Sequence, residues 1–100
     1  MGERGGIMTI VGNLLCDPNY DNTYFTDPEE MWAMFAIMEH AAGESRKFRV
    51  KACGPICRRM HLDRLKKGDF VKISGLPRVQ DGKPFVLATE YRLLKKAVRK

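Results

Sequence analysis

Lys47, Arg49 and Lys51 interleave with Phe48, Val50 and Ala52 in the stretch RKFRVKACG, residues 46–54. Successive side chains of a β-strand point to opposite faces. As a strand, this stretch carries three cations on one side and an apolar row on the other. The chemistry open to such a row is non-covalent. It is either a solvated outer face or a track for a polyanion. Neighbouring like charges repel, so three in a row ask for a reason that the row alone does not supply.

Signals for covalent chemistry are lacking. The chain has no phosphate-cradling glycine loop with lysine, no paired carboxylates at motif spacing and no nucleophile motif. His40 and His61 have no evident catalytic partners. Cys53, Cys57 and His61 form a C-x3-C-x3-H pattern, but zinc takes four ligands and no second pair stands at motif spacing. The expectation is a protein that is not an enzyme and needs neither metal nor cofactor. Cys16, Cys53 and Cys57 read as reduced thiols, small hydrophobes rather than ligands.

Composition narrows the partners. The 100 residues suffice for one domain with a modest core. A formal net charge of +6 and a pI of about 9.5 favour an anionic partner, with nucleic acid, an acidic protein or a membrane surface all compatible. No apolar run approaches the roughly 20 residues of a membrane-spanning helix, and MGERGG is not followed by a signal-peptide segment. The expected location is the cytoplasm.

These residues must be held by a small set of elements. IMTIVGNLLCD, from Ile7, reads as a first strand, with Gly12 marking a bulge or bend. DPNYDNTYFTDPEE reads as a loop. MWAMFAIMEHA is a second strand, although its composition permits helix. RKFRVKACG is the third. GPICRRMHLDRLKKGD reads as a helix with Pro55 in its first turn and Gly68 as its stop, or as a shorter helix plus a turn, since the stripe of Ile56, Met60 and Leu65 is imperfect. Val71 and Ile73 alternate with Phe70, Lys72 and Ser74 in a fourth strand. DGK at 81–83 signals a hairpin into a fifth. The expected fold is an all-β, five-stranded OB-fold barrel with one short helix between the third and fourth strands. It spans 7–94, between a flexible arm (1–6) and a basic tail (95–100).

At this point the chain resembles the bacterial single-stranded DNA-binding proteins. IVGNLLCDP resembles their first-strand V-G-N-L stretch leading to D-P. AMFAI resembles the second-strand A-x-F-S-V, and FRVKACG resembles the third-strand W-x-R-V-x-x-x-G. LKKGDFVKISG resembles L-K-K-G-D-x-V-x-V-x-G, and DGKPF sits at the family's D-G-K hairpin. The resemblance spans about residues 7–92 and implies single-stranded DNA binding with little sequence preference, in replication, recombination or repair. It also implies a homodimer or homotetramer built on the first-strand edge, here Ile7, Met8, Thr9, Ile10 and Val11. Replication or repair proteins would be further partners, and no membrane is involved.

The resemblance fixes strand phases. Phe35 and Ile37 should point inward, and Trp32, Met34, Ala36 and Met38 outward, beside the cationic row. Cations track phosphates while flat or soft side chains receive bases, and this favours the track over the solvated face. The expected nucleic-acid-binding residues are Trp32, Met34, Lys47, Arg49, Lys51, Lys72, Arg78 and Lys83. Trp32 has an alternative as a barrel plug or interface residue, and Phe70 and Tyr91 as core or interface. Tyr20, Tyr24 and Phe25 rank below Trp32, because Asp17, Asp21 and Asp27 beside them would repel phosphate. Arg58, Arg59, Lys66 and Lys67 read as a solvated face.

There are departures too. Lys47 stands where the family has a stacking tryptophan, and Cys53 where it has a stacking aromatic. The hairpin is short, and the chain ends basic where the family carries an acidic-tipped tail. They keep open a protein-interaction module, or a primosome-type subunit with weak or no DNA binding.

Overall fold

The computed structural model describes residues 6–21, 32–41 and 43–97. Residues 1–5 of the arm, Tyr24, Phe25 and Asp27 of the first loop, and residues 98–100 of the tail lie outside them. The chain runs β1 (Met8–Leu14), β2 (Asn19–Asp21), β3 (Trp32–Ala41), β4 (Glu44–Cys53), α1 (Gly54–Leu62), β5 (Phe70–Gln80) and β6 (Lys83–Lys95). Strand order is β1-β5-β6-β4-β3-β2, and an additional β1–β3 pairing closes the sheet into a barrel. This is the expected OB-fold, with the helix between β4 and β5.

The alternating patterns decide which side chains fill the barrel. Ile10, Ile37, Val50, Val71 and Ile73 are fully buried, and Phe35 nearly so. Burial of such a side chain stabilises by roughly 1.5–3 kcal/mol. Gly12 is where β1 begins to serve two neighbours, pairing Val71 of β5 and Glu39 of β3. A Cβ there would lie 2.1 Å from the Met38 carbonyl oxygen, so only glycine admits the close approach. At the other end of the barrel, Asp81 and Gly82 link β5 to β6 with φ of 53° and 75°. Two positive φ values are what a two-residue type I′ hairpin requires.

One local expectation changes and one open alternative is decided. A short strand, β2, lies within the expected loop and pairs Asn19–Asp21 with Trp32–Met34. Tyr20 drives it: its ring packs against the core and meets His61 edge-on, with centroids 5.2 Å apart. Of the two readings of the helix, the shorter one followed by a turn holds. It ends at Leu62, and Arg64 adopts the left-handed conformation (φ 53°), so that the Arg64 N–H reaches the His61 carbonyl and the Leu65 N–H the Met60 carbonyl. Of the expected stripe, Met60 and Leu65 are buried and Ile56 half-buried, with Cys57 fully buried beside them. Burial pushes the Cys57 thiol up to about 11, with a smaller contribution from nearby Cys53.

The far end of the barrel is fastened by Asp69, a fully buried carboxylate. It accepts hydrogen bonds from the Lys66 N–H (2.9 Å), the Ala97 N–H (2.8 Å) and the Lys96 ammonium (2.8 Å). Lys96 donates as well to the carbonyls of Asp63 and Arg64. Burial alone would raise the Asp69 pKa. The bonds from Ala97, Lys96 and Lys66 outweigh it and hold the group below the usual carboxylate range. Asp69→Asn is therefore expected to lower stability at pH 7 by about 2 kcal/mol, less than for a fully buried pair because Lys96 is half-exposed. With a depressed folded pKa, the ionised group's contribution is present above the unfolded value near 4 and is lost as pH falls through the folded value. Urea unfolding across pH should show the gap between variant and wild type narrowing below about pH 4.

Candidate nucleic-acid interface

The site is built by the register of β3 on β4. Trp32 lies opposite Cys53, Met34 opposite Lys51, Ala36 opposite Arg49 and Met38 opposite Lys47. The intervening pairs, Ala33 with Ala52 and Phe35 with Val50, point into the core. One face of this two-stranded ribbon is therefore barrel interior. The other sets a cationic row against an apolar row of half-buried side chains. The Lys51 ammonium stands 5.1 Å from the centre of the Trp32 ring, a cation–π contact. Lys47, Arg49 and Lys51 have no carboxylate partner among the described residues.

On its other flank, β4 runs parallel to β6, but only Val50–Val86 and Lys51–Leu87 pair. Below Val50 the two strands part. The space between β4 and the β5–β6 hairpin is an open cleft of about 820 Å³, with Met8, Phe48, Val79, Phe85 and Val86 along its apolar walls and Lys47, Arg49, Arg78 and Lys83 at its edges. A smaller hollow of about 190 Å³ adjoins it, bordered by Met34, Arg49, Lys51, Lys83 and Phe85. Seven of the eight expected binding residues thus lie in this region: Trp32, Met34, Lys47, Arg49, Lys51, Arg78 and Lys83. Lys72 is placed elsewhere. Its neighbours across the strands are Val11 and Arg92.

Phe85 escaped the sequence reading. It is half-buried, borders both hollows and is not packed into the core. The alternation of buried Val86 and Ala88 in β6 was the signal that points it outward. Tyr20 belongs to the barrel instead. Its hydroxyl is buried with no hydrogen-bond partner among the described residues. Burial pushes it up to about 12, helped by Cys57 and Asp63. Tyr91 is core-packed too, donating to the Asp63 carboxylate at 2.9 Å. His40 meets the Ser45 hydroxyl at 2.9 Å. Among the described residues, no group of three His, Cys, Asp or Glu side chains is placed to hold a metal ion.

The expected first-strand interface divides by side. Ile10 is core, whereas Ile7 and Thr9 are exposed and Met8 and Val11 half-buried. Met8–Val11 pair with β5, while β3 joins β1 only from Gly12 onward. No other described strand pairs the free side of Met8–Val11.

No protein-family model matches the chain, and no curated protein matches it by sequence. Solved structures match it in fold. The second single-stranded DNA-binding protein of Mycobacterium smegmatis, SSBb, superposes with a TM-score of 0.75 at 21% identity, covering 94% of this chain and 97% of that one. Rim1, the mitochondrial single-stranded DNA-binding protein of S. cerevisiae, gives 0.72 at 13% identity, over 92% and 97%. The dimeric N-terminal domain of PriB from Thermoanaerobacter tencongensis gives 0.70 at 16%, over 93% and 100%. At these identities the likeness establishes a shared fold.

The field of the cationic row can be read at Trp32, the sole tryptophan. At low salt, the ratio of iodide to caesium quenching is expected to exceed that of free N-acetyltryptophanamide, because anions concentrate beside unpaired cations. Lys51→Ala should bring the ratio closer to the free value. A wild-type ratio equal to the free value would mean that the row exerts no field at the indole.

Proposed function

We propose that this chain binds single-stranded DNA with little sequence preference, through the outer face of β3 and β4. The observation that carries the reading is the pairing of Lys47, Arg49 and Lys51 with Met38, Ala36 and Met34, continued by Trp32. A single strand offers regularly spaced phosphates and unstacked bases, and this face offers cations and apolar surfaces in adjacent lanes. The cations attract the backbone and the Trp32 indole receives a base. No bond is made or broken. The fold shared with single-stranded DNA-binding proteins supports the same reading. Replication, recombination or repair, in the cytoplasm, is the setting that fits such a binder.

The protein is further proposed to assemble as a homodimer or homotetramer. The open side of Met8–Val11 is a row of backbone donors and acceptors that a second copy of the strand would satisfy. The dimeric PriB domain, similar in fold, supports this. Light scattering at micromolar concentration should give a multiple of the 11.4 kDa chain; a monomer at high micromolar concentration would contradict it.

Binding to oligo(dT) tests the function. Neutralising about four phosphates implies a slope of log K against log salt near −3. Replacing Lys47, Arg49 and Lys51 together by alanine should flatten that slope. Oligo(dT) should quench Trp32 emission strongly. Trp32→Ala should weaken binding by about tenfold or more while leaving the slope intact, since stacking is worth roughly 1–3 kcal/mol per base. An unchanged slope in a folded triple variant would move the binding surface elsewhere.

A further inference from the structure

We propose that the outward face of α1 is a docking surface for an acidic segment of another protein. This goes beyond the nucleic-acid reading and uses none of its residues. Positions 55, 58, 59 and 62 follow the i, i+3, i+4, i+7 spacing that brings side chains to one side of a helix. Pro55, Arg58, Arg59 and Leu62 therefore form one stripe, and all four are exposed. The opposite side faces the barrel: Cys57 and Met60 are buried, and Ile56 packs against the core. The stripe is apolar at both ends and cationic in the middle. Leu62, at its end, is 61% exposed.

Two observations set this face apart from a solvated one. A helix stabilised for its own sake carries acids in its first turn, where they favour the macrodipole and pair with cations one turn on. The first turn of α1 has none. Arg58 and Arg59 have no carboxylate partner among the described residues, and neither have Arg64 and Lys66 just past the helix. Asp63, which closes the helix, is engaged by the Tyr91 hydroxyl at 2.9 Å. The second observation is Leu62 itself, a large apolar side chain left in water within one turn of both arginines. A partner that satisfies the whole stripe brings carboxylates, which the planar guanidinium fork takes two oxygens at a time, and an apolar side chain to cover Leu62. A nucleic-acid strand matches it less well, because the stripe has no aromatic ring on which a base would stack. Charge and apolarity together select an acidic, amphipathic peptide.

Phage display tests this, with the full chain as bait and random dodecapeptides as the probe at 0.15 M salt. The selected peptides are expected to be rich in Asp and Glu and to share an apolar side chain. Their consensus is then synthesised with a fluorescent label and titrated by anisotropy. Arg58→Ala with Arg59→Ala should weaken its binding by about tenfold, and Leu62→Ser by about fivefold. All three side chains are exposed, so the variants should fold, and unchanged unfolding midpoints should confirm this. The Lys47, Arg49 and Lys51 triple alanine variant should bind the peptide as the wild type does, and the α1 variants should keep wild-type affinity for oligo(dT). A library that yields no binder, or binders without acidic residues, overturns the proposal. So does a consensus peptide that leaves with the β4 cations and not with Arg58 and Arg59, which would place it on the β4 row. A tenfold loss of oligo(dT) binding in the folded α1 variants would assign the helix to the nucleic-acid site instead. Failure of the wild type to bind oligo(dT), with the peptide still bound through α1, would remove the nucleic-acid reading and leave this one standing.

Discussion

The site depends on the pleat of one strand. In β4, Val50 and Ala52 are fully buried. Their insertion into the barrel obliges Lys47, Arg49 and Lys51 to share the opposite face. The same ten residues therefore make core and cationic row together. A one-residue slip against β3 would turn three cations inward and Val50 outward, which the desolvation cost of buried charge forbids. Repulsion along the row is small by comparison. Charges about 7 Å apart in water repel by roughly 0.6 kcal/mol. The core can hold the row in place, and a bound polyanion would relieve it.

The two ends of the barrel are built differently. At one end the Asp69 carboxylate gathers the Lys66 N–H, the Lys96 ammonium and the Ala97 N–H, and so ties the end of β6 to the turn after α1. Asn13 adds a bond from its amide to the Gly68 carbonyl at 3.0 Å. At the other end the β5–β6 hairpin projects with Val79, Lys83 and Pro84 exposed. Apolar and cationic side chains are left at the surface where the barrel opens. The Asp69 fastening and the β5–β6 hairpin thus lie at opposite ends of β5.

Period-two patterns made most of this legible. Val71 and Ile73 and the cationic row took the faces that alternation assigns, and Phe35 and Ile37 the inward face that the resemblance implied. The Asp81–Gly82 turn and Pro55 at the helix start followed from local backbone preferences. What remained hidden depends on contacts between distant segments. Tyr20 stood among loop residues, and its packing against His61, 41 positions further along the chain, makes Asn19–Asp21 a strand. The sequence left open a long helix or a short one plus a turn, and the burial of Leu65 just past the Arg64 turn decides for the short one. Lys72 shares a strand with Arg78, yet its neighbours are Val11 and Arg92. The cleft exists because β4 and β6 pair over two residues and then separate, a feature no local pattern encodes.

On the proposed reading, this surface selects unpaired bases and does not merely attract charge. A competition titration measures the difference directly. A labelled thymine 30-mer is bound to the chain at 0.15 M salt, then displaced either by the same unlabelled strand or by its duplex with the adenine complement. The duplex carries more phosphate but keeps its bases stacked and paired. The single strand is expected to compete at least 100-fold better per strand, in line with two or more stacked bases at roughly 1–3 kcal/mol each. Equal competition by the duplex would contradict the account and reduce the row on β4 to a general polyanion contact.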